Sequence, residues 1–206
     1  MKGLLRGLTA VVLLVPISWA HAEISHTYVE GTVTRNQVET GPLFGEEDAV
    51  GVDFAASYEI LRMMHVFGRI QYADFDDQPL EQTIGQIGIG YNWDITADRN
   101  FFVNLSFLNL ELELTDPVFG SLSGDTDAAE LAIGWRETNH TPLEFGISVH
   151  YRELDNAAET NDKWMDMAFL YAINPRLSIN GGIRFGGDDN NMRIGVRYYL
   201  PSRFVE

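Results

Sequence analysis

The sequence predicts a closed, antiparallel, up-and-down β-barrel of ten strands that crosses a membrane, with eight strands as the alternative. Three observations carry this. Apolar residues recur with a period of two along nearly the whole chain, the period of strands whose two faces meet different surroundings. The connections alternate between longer acidic segments and generally shorter ones, the arrangement of loops and turns at opposite ends of a membrane barrel. Aromatic residues gather where five strands run into the short-turn end, as expected of rings held at a membrane–water interface. The length of 206 residues suits one domain, and no linker or composition break divides residues 23–206.

Residues 1–22 stand apart from the barrel. Lys2 and Arg6 precede an apolar run from Leu8 to Trp19, and Ala20-His21-Ala22 forms a small-x-small site. This three-part pattern is that of a cleavable signal peptide. The run is shorter than the roughly 20 apolar residues of a spanning helix. Cleavage is expected after Ala22. It removes two bases and no acid, so the formal charge moves from −16 to −18.

The strands follow in order. The first, about Thr27 to Arg35, sets Val29 and Val33 against Tyr28, Glu30 and Thr32. Val50, Val52, Phe54, Ala56 and Tyr58 form the stripe of the second. In the third, Val66, Ile70 and Tyr72 oppose Arg69 and Gln71. The fourth is the clearest: Ile87, Ile89, Tyr91 and Trp93 on one face, Gln86, Gly88, Gly90 and Asn92 on the other. The fifth breaks phase. Phe101, Val103, Leu105 and Phe107 are odd-numbered, whereas Leu108, Leu110, Leu112 and Leu114 are even. A β-bulge near Phe107 or Leu108 is expected to repair this. In the sixth, Ala129, Leu131, Ile133 and Trp135 oppose Glu130, Ala132, Gly134 and Arg136. In the seventh, Leu143, Phe145, Ile147, Val149 and Tyr151 oppose Glu144, Gly146, Ser148, His150 and Arg152. Met165, Met167, Phe169 and Tyr171 mark the eighth. Leu177, Ile179, Ile183 and Phe185 mark the ninth, opposite Ser178, Asn180, Gly182 and Arg184. The tenth sets Met192, Ile194, Val196, Tyr198 and Leu200 against Arg193, Gly195 and Arg197. Gln37–Asp48, Asp76–Glu81, Thr115–Asp127, Asp155–Asp162 and Gly187–Asn191 are read as the acidic loops.

Two barrels share this pattern. A soluble lipocalin-type barrel turns its apolar face inward, and an outer-membrane barrel turns it to lipid. The polar faces carry many glycines, which weaken a strand but make room in a crowded interior. Tyr58, Tyr91, Trp93, Trp135, Tyr171 and Tyr198 end the apolar faces of strands at one level, as an aromatic girdle does. Both features favour the membrane barrel. Its lumen is expected to hold a charge network of Glu130, Arg136, Glu144, His150, Arg152, Asp166, Arg184, Arg193 and Arg197, paired because charge held away from water must find a partner. Around the Thr138–Pro142 turn, the expected register sets Arg136 opposite Glu144, Glu130 opposite His150 and Trp135 opposite Phe145. In a later hairpin it sets Asp166 opposite Arg184.

From its export segment to its closing strand, Arg193-Ile194-Gly195-Val196-Arg197-Tyr198-Tyr199-Leu200, the chain resembles the small outer-membrane β-barrel proteins, broadly the OmpA/OmpX-like group. The resemblance implies an outer-membrane location, contact with membrane lipid and lipopolysaccharide, and handling by the barrel-assembly machinery. Barrels of that group end in such a strand with a terminal aromatic. Here Leu200 takes that place, Pro201–Glu206 follow, and Phe204 is the nearby aromatic.

Composition removes several chemistries. There is no cysteine, hence no thiolate catalysis, thiolate-bound metal or disulfide. With 30 acids against 14 bases, nucleic acid is not an expected partner. The clusters Asp74, Asp76 and Asp77, Asp125 and Asp127, and Asp188 and Asp189 lack calcium-loop spacing and are read as a solvated outer surface, without a metal centre. Ser148 and His150 share a face, but residues two apart on a strand stand about 7 Å apart at Cα, so no nucleophile–base contact is expected. No cofactor is expected. The sequence therefore predicts a monomeric, non-enzymatic barrel serving envelope integrity or surface interaction. A narrow porin-like channel is the alternative, and a lipid-modifying enzyme the third reading.

Overall fold

The computed structural model describes residues 26–39, 46–76, 79–116, 120–138, 141–155, 161–187 and 189–201. The expected signal segment and Phe204 lie outside the described residues. Ten strands form one sheet: β1 (Tyr28–Glu39), β2 (Glu46–Leu61), β3 (Met64–Phe75), β4 (Leu80–Thr96), β5 (Arg99–Asp116), β6 (Gly120–Glu137), β7 (Leu143–Leu154), β8 (Asn161–Asn174), β9 (Leu177–Phe185) and β10 (Asp189–Tyr199). Each pairs antiparallel with its sequence neighbour, and β1 pairs with β10, so the sheet closes on itself. Ten strands, rather than eight, make the barrel.

The apolar stripes face outward. Phe54, Ile70, Ile87, Phe107 and Ile194 are 62–69% exposed, whereas the charged Asp53, Glu130 and Glu144 are 2–6% exposed inside. A soluble barrel would reverse this distribution. Facing lipid, the exposed apolar belt needs no further cover.

Hairpin geometry differs between the ends. Arg62–Met63, Ala97–Asp98 and Pro175–Arg176 are two-residue turns. Beside each the register slips by one residue, between Glu59 and Leu61, Asp94 and Thr96, and Ala172 and Asn174. The irregularities therefore sit at the short-turn end, where the strands must bend into tight connections.

The bulge expected near Phe107 or Leu108 does not occur. Pairing of β5 is continuous there with both β4 and β6. Phe107 points outward, and Leu108, 4% exposed, points inward; Leu110, Leu112 and Leu114 keep the phase of Leu108. It is the surroundings that change. Below this level the outer face meets lipid and is apolar. Above it the outer face carries Asn109, Glu111 and Glu113, and the apolar residues take the inner phase. The same reversal places Ala49, Ala73 and Phe75 in a buried cluster with Leu80 packed against it, at the long-loop end. Segment Thr115–Asp127, expected as a loop, is mostly strand: β5 and β6 are each 18 residues long, beyond the roughly 9–11 that cross a membrane. Strand also takes up the ends of the expected Gln37–Asp48 loop.

The β6–β7 register is two residues from the expected one. Arg136 stands opposite Gly146, Glu130 opposite Arg152, and Trp135 opposite Ile147. A slip of two preserves every inward and outward assignment, so alternation alone does not distinguish these registers. Asp166 stands opposite Arg184, the expected pairing.

Candidate functional site: the charged lumen

Alternation sends six arginines into the lumen: Arg69, Arg136, Arg152, Arg184, Arg193 and Arg197. Five have a carboxylate in hydrogen-bond contact. Arg197 Nε donates to Glu30 Oε2 at 2.6 Å, directly across β1 and β10, with its guanidinium 3.9 Å over the Tyr28 ring. Arg69 holds Asp53 at 2.5 Å from β3 to β2. Arg152 holds Glu130 at 3.0 Å. Arg136 reaches Glu144 diagonally at 3.4 Å and also lies 2.6 Å from His26 Nε2. Arg193 grips both oxygens of Asp166, at 2.6 and 2.5 Å.

The last pair spans a whole strand. Arg193 on β10 crosses β9 to reach Asp166 on β8, and it does so over Gly182. A Cβ there would stand 2.7 Å from the guanidinium carbon. Gly146 similarly lies beneath Arg136, and Gly90 beneath His65. These three inner-face glycines are thus the floor on which long polar side chains lie.

The nine lumen residues expected from sequence all take the inner face, and the foreseen contacts Arg136–Glu144 and Glu130–His150 form from register positions other than those expected. Arg136 and Glu144 meet diagonally rather than head on. Glu130 faces Arg152 while also holding His150 Nδ1 at 3.0 Å. Arg184, opposite Asp166, comes only to 3.9 Å from it, because Arg193 already occupies both oxygens. Four further inner residues stand outside the network expected from sequence: Glu30 as the partner of Arg197, Trp164, and the stacked pair His26 and His65, 4.7 Å between ring centroids. Strand parity places Glu30, His65 and Trp164 inside; His26 precedes β1 and carries no such signal.

Ser148 Oγ does meet His150 Nε2, at 2.9 Å, which corrects the separation argued from Cα spacing: side chains lean along the strand. With Glu130 behind it, the chain Ser148–His150–Glu130 has the connectivity of a serine triad. It is also tightly held. Arg152 takes the other oxygen of Glu130, and Trp164 stacks on His150 at 4.9 Å.

The six girdle residues all face outward. Tyr58, Trp93, Tyr171 and Tyr198 are exposed, and Tyr91 and Trp135 half-buried. Tyr91 and Trp93 pack edge to face at 4.6 Å, Trp93 packs on Phe101 at 5.8 Å, and the Tyr91 hydroxyl donates to the Met63 sulfur at 3.2 Å.

Within the lumen a cavity of about 240 Å³ remains among Arg69, Ser148, Asp166, Arg184 and Arg193. Among the described residues no group of three or more His, Asp or Glu side chains is arranged to hold a metal ion.

No protein-family model matches the chain, and no curated protein matches it. Solved structures do. Neisserial surface protein A (NspA) superposes with a TM-score of 0.51 at 8% identity, over 85% of this chain and 98% of its own. The β-domain of the Bordetella autotransporter BrkA gives 0.57 at 8% identity, over 85% and 100%. The NanC porin gives 0.45 at 14% identity, over 84% and 100%. The fold is that of the outer-membrane β-barrels.

Proposed function

We propose that the chain is a non-enzymatic integral outer-membrane barrel of the OmpA/OmpX-like group, a monomer serving envelope integrity or surface interaction. On this reading residues 1–22 are a cleaved signal peptide, residues 23–206 are the barrel, and the assembly machinery inserts it. Its partners are membrane lipid and lipopolysaccharide. The observation that carries a structural rather than a conducting role is the filled lumen: five arginines are tied to carboxylates on neighbouring strands or one strand beyond, and about 240 Å³ is left. Charges so paired fill the interior and leave little room for solute. The same cavity supports the second reading, a narrow channel.

Conductance in planar bilayers separates the two. Purified protein should insert without defined single-channel openings; reproducible unitary steps would make it a channel. Location is tested separately. The mature chain should begin at Glu23 by mass spectrometry, fractionate with outer membranes and migrate anomalously on gels unless boiled. Recovery as a soluble periplasmic protein would overturn the membrane reading.

A further inference from the structure

We propose that the lumen near its long-loop end binds a small carboxylate anion at Arg184, beside Trp164. Among the described residues, five of the six inward arginines have a carboxylate in hydrogen-bond contact and Arg184 has none. The two acids beside it are already taken. Asp166 gives both oxygens to Arg193, and Glu130 gives one to His150 and the other to Arg152. Arg184 Nε is buried without an acceptor, 3.9 Å from Asp166.

A second observation points to the same place. Trp164 is 4% exposed, and its indole N–H, a donor with no acceptor role, is also buried without a partner. Arg184 lies over the face of this indole at 4.9 Å, Arg152 at 4.6 Å, and His150 stacks on it. Two donors without acceptors thus belong to residues in contact, beside an acid whose two oxygens are already engaged by Arg193. What such a setting lacks is an acceptor.

The cavity sets the size. Arg184 lines the lumen space of about 240 Å³, which admits a few non-hydrogen atoms beyond its water. A carboxylate suits a guanidinium edge, because two parallel N–H groups match two oxygens. Position supports entry from outside the cell: Arg184 is one residue from the end of β9, and Trp164 is three residues inside the start of β8. Both are at the long-loop end.

The test uses refolded, ¹⁵N-labelled protein in detergent micelles, titrated with sodium acetate at fixed ionic strength. The indole N–H signals of Trp93 and Trp135, on the lipid-facing wall, serve as internal references. The Trp164 signal should shift saturably while the other two stay still. Arg184→Met should weaken the apparent affinity at least tenfold, and Arg184→Lys, which keeps the charge but loses the fork, should fall between. If all three indole signals drift together without saturating, or if Arg184→Met binds as well as the parent, the site does not exist. Should Arg184→Met fail to refold, the unaltered protein still decides: a Trp164 signal indifferent to acetate overturns the proposal. Binding does not require conduction, so a silent bilayer leaves this test intact.

Discussion

Among the described residues Arg136 has its one carboxylate contact with Glu144, which is 2% exposed. Glu144→Gln keeps the shape but removes the charge, leaving a guanidinium underpaired away from water. We expect a loss of about 1–3 kcal/mol, measured by urea unfolding of the refolded barrel. Replacing both partners, Arg136→Met with Glu144→Leu, should restore much of it, since an apolar pair of similar volume leaves no orphaned charge. Ser148 makes the opposite prediction. It completes a Ser–His–Glu chain in a lumen read as structural, so a serine-directed phosphonate should leave it unmodified. Labelling at Ser148 that disappears in His150→Gln would make the protein an acyl-transfer enzyme.

At the scale of strands, β5 shows how environment sets the apolar phase. Phe107 and Leu112 are both apolar and both exposed, at 66% and 42%, but they lie on opposite faces of the strand. Phe107→Arg should cost about 2–4 kcal/mol if it lies near the bilayer midplane, whereas Leu112→Arg, above the lipid, should cost much less. Equal penalties in lipid vesicles would mean that the strand is lipid-bound along its whole length. The β6–β7 register has its own test, made clean by the absence of native cysteine. Leu131 stands opposite Tyr151, so Leu131→Cys with Tyr151→Cys should crosslink on oxidation. Leu131→Cys with Val149→Cys, a diagonal pair at about 7–8 Å, should not, because disulfides span about 4.4–6.8 Å between Cα atoms. The reverse outcome would restore the register first expected.

For the whole molecule, topology is the quantity to check. The acidic connections gather at one end and the two-residue turns at the other. The first should face outward and the second the periplasm. Protease added to intact cells should therefore cut between β1 and β2 or between β7 and β8, since exposed loop tips are nicked first. Cleavage confined to the Ala97–Asp98 turn would invert the orientation. Charge follows the same division. The described lumen sets six arginines against Glu30, Asp53, Glu59, Glu130, Glu144 and Asp166, a balance of zero. The excess of 30 acids over 14 bases therefore resides outside the lumen, where an unpaired carboxylate stays hydrated.

Alternation by itself sorted the residues of each strand into two faces, because a period of two assigns faces without knowledge of neighbours; that the apolar face is the outer one was read from the glycines and the aromatic girdle as well, and ten strands stood with eight as the alternative until the closed sheet decided. Alternation could not determine register at β6–β7, where a slip of two leaves every face unchanged and only the five-residue connection chooses. It misread the phase change at Phe107 and Leu108 as a bulge, since one sequence cannot tell a shifted strand from a straight one that leaves the membrane. Pairing across non-adjacent strands lay further out of reach. That Arg193 passes over Gly182 to take Asp166, and so leaves Arg184 without a carboxylate, follows from the curvature of a closed sheet, which brings β8 and β10 within one side chain of each other.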